Sequence, residues 1–299
     1  MKSAIKILTV TAVIGCIGYF SYHQIMKWHQ EKLDIAISQQ RNESEKKTGE
    51  LEDKINQLED ELTLYKITLA PQEKLTEIFG DEPALVTPEK EYIDCQDLER
   101  QVFSFFAYLD KQNYIILRQL GNGTTGLFNQ MIQQLSEKLP IVVGENRDII
   151  SLTRNMAHFY RVLGKKRIEL IKDILKNEND IFESMIAAFY SYYTSDTCCK
   201  DKRQGCPSLK LLYEYSGFFL STIAGRSYLL RRDSKVRSLI TYYCIRILDK
   251  ANDAVLNDNG IDIRPHINLS LNDISNQKNL IYRKSYQKKL QHLKEKYHM

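Results

Sequence analysis

The hydrophobic pattern begins with an uncharged run from Ile7 to Met26, which follows the basic residues Lys2 and Lys6 and ends at Lys27. An apolar helix of about 20 residues just spans the ~30 Å hydrocarbon core of a bilayer. The pattern therefore predicts a membrane-anchor helix in residues 1–26. A short N-terminal tail before a single span favours a cytoplasmic start, with the rest of the chain exported.

Two other interpretations of this segment remain open. The run Val13-Ile-Gly-Cys16 resembles a bacterial lipobox, in which Cys16 becomes the lipidated N-terminus, although the residues after Cys16 stay apolar. A cleaved signal peptide needs small residues after its apolar part, and Tyr19-Phe-Ser-Tyr22 fits this poorly. We expect an uncleaved anchor, with a lipoprotein as the alternative.

Residues 27–70 are rich in charge, and apolar positions return at alternating spacings of four and three residues. These positions are Leu51, Ile55, Leu58, Leu62, Tyr65 and Leu69. Such spacing is typical of the a/d seam of a coiled coil. It predicts an extended helical stalk that associates with another copy or with a partner protein. A solvated spacer helix is the alternative.

One glycine and two prolines, Gly80, Pro83 and Pro88, lie close together and place a linker at residues 71–88. The remaining residues, 89–299, form apolar stripes at helical spacing, two of which meet at Gly164. No strand pattern bounded by hairpin turns is present. The sequence therefore predicts an all-α protein with an anchor helix, a coiled-coil stalk and a multi-helix globular domain.

The formal net charge is +4, and much of the positive charge lies near the C-terminus. A capping sequence at Ser270-Leu-Asn-Asp273 predicts the start of a final basic helix. Arg226, Arg231 and Arg232 belong to a second basic stretch. We expect no nucleic-acid partner, because the chain is expected to be exported and no recognisable nucleic-acid-binding module occurs in it.

Three cysteines, Cys198, Cys199 and Cys206, fall in one hydrophilic loop. Disulfides are expected in an oxidising compartment, and Cys206 is placed to pair with Cys198 or Cys199. Cys95 and Cys244 are the candidates for the remaining sulfur, and one thiol stays unpaired or pairs between chains. A zinc site is less favoured because no histidine lies nearby in sequence. We expect no metal and no cofactor.

Tyrosines are frequent on the helices around this loop. Rings with a polar tip line pockets for small ligands, so a candidate pocket comprises Tyr192, Tyr193, Tyr215, Tyr243 and Arg226. Ordinary helix packing explains the same residues. Gly121-Asn-Gly-Thr-Thr-Gly126 matches a dinucleotide-binding pattern, but without a surrounding βαβ unit we expect a turn between helices.

No catalytic constellation emerges from these residues. The favoured function is a non-enzymatic scaffold, adaptor or assembly factor, anchored in a bacterial inner membrane with most of the chain in the periplasm. It is expected to bind a protein partner or to form a homo-oligomer. The alternative is a helical domain that binds or converts a small ligand in an aromatic pocket, with Arg226 or Arg231 as an anion anchor.

Overall fold

The computed structural model describes residues 26–58 and 71–79, apart from residues 29, 31, 36, 56 and 72, together with residues 94–142, 149–199 and 205–299. Every regular element in these ranges is an α-helix, which confirms the predicted all-α fold class. The chain divides into two compact units, residues 1–62 and 63–299.

In the first unit, the described residues between 26 and 58 are helical and form α1. The seam positions Leu51, Ile55 and Leu58 expose 60%, 54% and 63% of their surface. Leu62, Tyr65, Leu69, Cys16 and residues 1–25 of the predicted anchor lie outside the described residues. None of the helices in the described ranges has the length and apolar character needed to cross a bilayer.

The second unit begins, in its described part, with a helical segment at residues 71–79. Its helices are α2 (Cys95–Asp110), α3 (Asn113–Ile116), α4 (Gly123–Glu137), α5 (Ile149–Met156), α6 (His158–Asn177), α7 (Phe182–Thr194), α8 (Leu209–Ser221), α9 (Ile223–Leu230), α10 (Ser234–Asp253), α11 (Arg264–Ser275) and α12 (Arg283–Lys296).

Helix α10 lies at the centre of this unit and packs against α7, α8, α9 and α11. Leu239, Ile245 and Leu248 on α10 are fully buried. The helix begins after Asp233, whose carboxylate accepts a 2.9 Å hydrogen bond from the backbone N–H of Lys235. Such a cap satisfies a helix N–H that has no partner within the helix. The predicted apolar stripe of α10 is therefore the stripe that the fold buries.

Residues 71–79 belong to the core of the unit rather than to the linker predicted for residues 71–88. Leu75 and Ile78 are buried in the main apolar cluster. The ammonium of Lys74 lies 2.8 Å from a carboxylate oxygen of Glu178 and 3.1 Å from one of Asp180. Apolar burial and an ion pair thus fix this segment on the domain. The predicted linker residues 80–88 lie outside the described residues.

The start of the final helix differs from the prediction. Ser270 is buried within α11, so the predicted capping sequence at Ser270–Asp273 is wrong, and the final helix begins at Arg283. The buried carboxylate of Glu183 accepts hydrogen bonds from the backbone N–H groups of Ile281 (2.9 Å) and Tyr282 (2.8 Å). A carboxylate from α7 therefore occupies the positive end of α12. Burial raises the pKa of Glu183, while these two backbone hydrogen bonds oppose the rise.

Candidate functional site

Two adjoining cavities open between the helices of the second unit. The first has a volume of about 450 Å³ and receives side chains from α4, α6, α7, α8, α9 and α10. The second has a volume of about 370 Å³ and lies among α2, α4, α6 and α7. Both volumes fall in the ~300–1,000 Å³ range of small-molecule sites. Five apolar side chains line both cavities and form the partition between them: Phe128, Met131, Ile171, Leu175 and Phe182.

The first cavity lies where three separate apolar clusters face one another. Leu229 belongs to the main core, Leu163 and Ile168 belong to a second cluster, and Tyr228 belongs to a third. Phe159 packs against both smaller clusters. Protein interiors are normally close-packed, with few voids larger than a water molecule. The unfilled space between the clusters is therefore a feature of the fold that requires an explanation.

A sharp corner in α6 creates the curved wall of the first cavity. Gly164 has φ 78° and ψ 163°, a conformation that essentially only glycine adopts, and helical geometry continues on either side of it. Phe159 before the corner and Ile168 and Ile171 after it line the same cavity. The predicted junction of two stripes at Gly164 is thus a bend, which turns two apolar helix faces towards one space.

Three cations line the first cavity. Lys172, Arg231 and Arg232 line it together with Tyr160, whose hydroxyl lies 3.5 Å from the ammonium of Lys172. No carboxylate of the described residues forms an ion pair with any of these three cations, and none lines the first cavity. Arg232 is half-buried, and burial lowers its pKa. A half-buried cation is stabilised by a nearby anion.

The polar groups that line the second cavity are already hydrogen-bonded. The carboxylate of Glu178 accepts hydrogen bonds from the hydroxyls of Tyr108 (3.2 Å) and Tyr114 (2.6 Å) as well as its ion pair with Lys74. The hydroxyl of Thr124 donates to the carbonyl of Phe106 at 2.9 Å. Burial, with Glu178 nearby, raises the pKa of Tyr108 to about 12. A molecule in the second cavity would meet apolar surface and no unsatisfied polar side chain of the lining.

The five residues of the candidate tyrosine pocket do not line either cavity. Tyr192 packs edge-on against the ring of Phe103, and the ring of Tyr193 lies 5.6 Å from that of Phe128, behind the cavity wall. Tyr243 packs among Tyr190, Tyr242 and Tyr286. Tyr215 lies beside His158, and Arg226 is exposed with its Nε donating to the carbonyl of Leu220. Helix packing accounts for all four tyrosines.

The cavity itself was missed by sequence reasoning. Its apolar residues, such as Met131, Leu135 and Phe159, lie in the helical stripes expected of any core. The one usable signal was the adjacent pair Arg231 and Arg232, which the sequence showed as part of a basic stretch. Arg231, considered above as an anion anchor, does line the cavity.

Two disulfide bonds lie at the cysteine loop. Cys199 is joined to Cys206, and Cys95 at the start of α2 is joined to Cys198. Cys244 is a buried free thiol, and burial raises its pKa to about 12. The Cys95–Cys198 bridge therefore holds the segment after α7 against α2, and the buried thiol of Cys244 is shielded from reagents.

His158, which lies among the apolar residues of α6, is a core residue. His158 is fully buried, and its Nε2 lies 3.0 Å from the hydroxyl of Tyr215. Burial, with a smaller contribution from Arg161, lowers the pKa of His158 to about 4. The imidazole is therefore neutral near pH 7 and acts in a structural hydrogen bond.

The glycine-rich segment is a turn between α3 and α4. The backbone N–H of Thr124, in the first turn of α4, donates to the carboxylate of Asp110 at 2.8 Å. Gly123 has φ 63°, and a Cβ at that position would approach the same carboxylate to 2.9 Å. Asp110 thus occupies the place where a dinucleotide-binding loop would hold a phosphate.

Within the described ranges, no cluster of three or more histidine, cysteine, aspartate or glutamate side chains has the arrangement of a metal site. Comparison with protein-family models, with curated proteins and with solved structures returned no match for this chain. The two cavities and the exposed seam of α1 are therefore the features of the described residues that bear on function.

Proposed function

We propose that the helical domain binds a small, largely apolar molecule in the two adjoining cavities. The observation that carries this proposal is the pair of apolar spaces of about 450 Å³ and 370 Å³ that share one wall. The proposal corresponds to the ligand-binding alternative of the sequence analysis, with a different site. It assigns no reaction to the domain.

The fold leaves several apolar side chains of the cavity walls incompletely covered. Phe128, Met131, Ile171, Leu175 and Phe182 are only partly buried, although all five face the cavities. Removing apolar surface from water stabilises a protein by roughly 25 cal/mol per Å². A bound apolar molecule would stabilise the domain by removing the apolar surface of these five side chains from water.

Photo-crosslinking tests the proposal directly. The full chain is reconstituted in phosphatidylcholine nanodiscs and irradiated with 1-dodecanol that carries a diazirine near the end of its chain. We expect the label on peptides from α4 and α6. Met131→Trp places a bulky ring in the partition, and we expect it to reduce labelling of these peptides at least fivefold.

Leu117→Trp is the matched control, because Leu117 is 81% exposed and lines neither cavity. We expect this variant to be labelled as the unaltered chain is. Label spread evenly over the surface, or unaffected by Met131→Trp, would refute binding in the cavities.

A second candidate function is self-association through the seam of α1. Leu51, Ile55 and Leu58 have the spacing of a coiled-coil seam, and each exposes more than half of its surface. Exposed leucine and isoleucine in register favour burial against a second helix. This supports the scaffold or adaptor function, with a homo-oligomer or a partner protein on the seam.

Charged substitutions on the seam of α1 test this candidate. We expect Leu51→Lys with Ile55→Lys to shift the full chain in nanodiscs to the monomer, as measured by chemical crosslinking. Asp53→Lys with Gln57→Lys is the control, since these positions lie about 200° round the helix from the seam. Equal behaviour of the two double variants would exclude the seam.

The proposed location is the bacterial inner membrane, with most of the chain in the periplasm. The uncharged run from Ile7 to Met26 supports an anchor, and the two disulfides favour an oxidising compartment. A lipoprotein attached through Cys16 is the alternative. A maleimide added to intact cells should label Cys198, Cys199 and Cys206 only after reduction. Labelling without reduction would contradict the proposed location.

A further inference from the structure

We infer that the ligand is an amphiphile with one apolar chain and an anionic carboxylate head, and that Arg231, Arg232 and Lys172 bind the head. This inference rests on the proposed binding function. It adds the chemical class of the ligand and its direction in the site.

The direction follows from the distribution of charge along the two cavities. The first cavity has three cations and no carboxylate among its described lining residues. The second cavity has no cation in its described lining, and its one carboxylate, Glu178, is held by Lys74 and two tyrosine hydroxyls. An anion is therefore favoured at the first cavity, whereas the second cavity offers an apolar tail a lining without any cation.

The cations come from two separate parts of the chain that both line the first cavity. Lys172 lies on α6 after the Gly164 corner, whereas Arg231 and Arg232 follow the end of α9. Lys172 and Arg231 are exposed, and Arg232 is half-buried. A guanidinium offers paired N–H donors that match the two oxygens of a carboxylate. The head would thus lie at the solvent edge, with Arg232 as its innermost contact.

The wall shared by the two cavities suits an apolar chain. Its five side chains are two phenylalanines, one methionine, one isoleucine and one leucine, so the wall is entirely apolar. A chain that extends from the first cavity into the second would therefore contact only apolar side chains at this wall. Methionine adapts its shape to irregular apolar surfaces, which suits a flexible chain.

The test compares two probes that differ only in the head. Diazirine-labelled dodecanoate and diazirine-labelled 1-dodecanol are titrated against the full chain in phosphatidylcholine nanodiscs, and labelling of the α4 and α6 peptides is measured. We expect dodecanoate to reach half-saturation at a concentration at least tenfold lower than 1-dodecanol, because charge-assisted hydrogen bonds strengthen only the carboxylate.

The variant Arg231→Gln with Arg232→Gln should abolish this tenfold difference, while 1-dodecanol still labels the α4 and α6 peptides. Retained labelling by the alcohol shows that the cavity is still folded. Arg237→Gln is the matched control, since Arg237 lies on α10 and lines neither cavity. We expect it to keep the preference for dodecanoate.

Equal half-saturation of the two probes on the unaltered chain would overturn the carboxylate head and leave the apolar binding function standing. Absence of specific labelling by both probes would overturn the binding function and the inference together. That result is also what a segment of a protein chain filling the cavities would produce. The comparison on the unaltered chain decides the inference even if the double variant fails to fold.

Discussion

The two disulfides differ greatly in the length of chain that they enclose, and this gives a quantitative test of the fold. Cys95 and Cys198 are 103 residues apart in sequence, whereas Cys199 and Cys206 are separated by 7. A disulfide stabilises mainly by restricting the unfolded chain, and the effect grows with the logarithm of the loop length. The loop-entropy relation gives about 4.7 kcal/mol for the long loop and about 2.4 kcal/mol for the short one.

We therefore compare Cys95→Ala/Cys198→Ala with Cys199→Ala/Cys206→Ala, so that each variant removes one whole bridge. Helices α2 and α7 pack against each other, so the folded contacts persist without the long-range bridge. The free energy of unfolding should fall by about 2 kcal/mol more in the first variant than in the second.

The assay is guanidinium chloride unfolding without reductant, followed by far-UV circular dichroism. The slope of the transition reports whether the unfolded state of each variant has expanded. Equal losses in the two variants, or a larger loss from the short loop, would refute the argument from loop length.

Three further predictions concern single residues of the folded chain. Burial lowers the pKa of His158 from 6.5 to about 4. Between these two pH values, the native protein therefore binds fewer protons than the unfolded chain. The free energy of unfolding should fall as the pH is lowered through this window. His158→Gln should flatten that part of a pH series of urea unfolding curves, and an unchanged slope would contradict it. Gly164→Ala should cost about 1–3 kcal/mol in the same measurement although the added methyl meets no atom within 4 Å, because the backbone conformation excludes other residues. Gly49→Ala in α1, where glycine is helical, is the control and should not destabilise the protein. Lys74→Met should cost about 3 kcal/mol, since it leaves the buried carboxylate of Glu178 without its cation, and an unshifted unfolding midpoint would exclude that ion pair.

The helices of the domain could be predicted because their signal is local. The stripe Leu98, Val102, Phe105 and Leu109 repeats at helical spacing, and α2 buries these four residues. Local sequence patterns gave a wrong helix start where the capping group comes from a distant part of the sequence. Ser270 has the form of a helix cap but lies inside α11, while Glu183, about a hundred residues earlier in the chain, holds the start of α12.

The sequence also indicated disulfide chemistry at the cysteine loop, but the partner of Cys198 depends on which helix end the fold places beside it. Cys95 is 103 residues away along the chain and becomes a neighbour only because α2 and α7 pack together. In the same way, residues 71–79 were predicted to belong to a linker. Their place in the core depends on Glu178 and Asp180, which lie a hundred residues further on.

The amino-acid sequence by itself determined which side of each helix is apolar, where chain reversals fall, and which residues can form cross-links. The tertiary structure alone decided that the apolar faces of α4, α6 and α9 surround unfilled space, and that Arg232 and Lys172 both line it. The physical reason is that hydrophobic burial is non-directional. Helical periodicity shows which face of a helix is buried. Whether the side chains of two such faces fill the space between their helices depends on the distance between the helices, which only the packed structure defines.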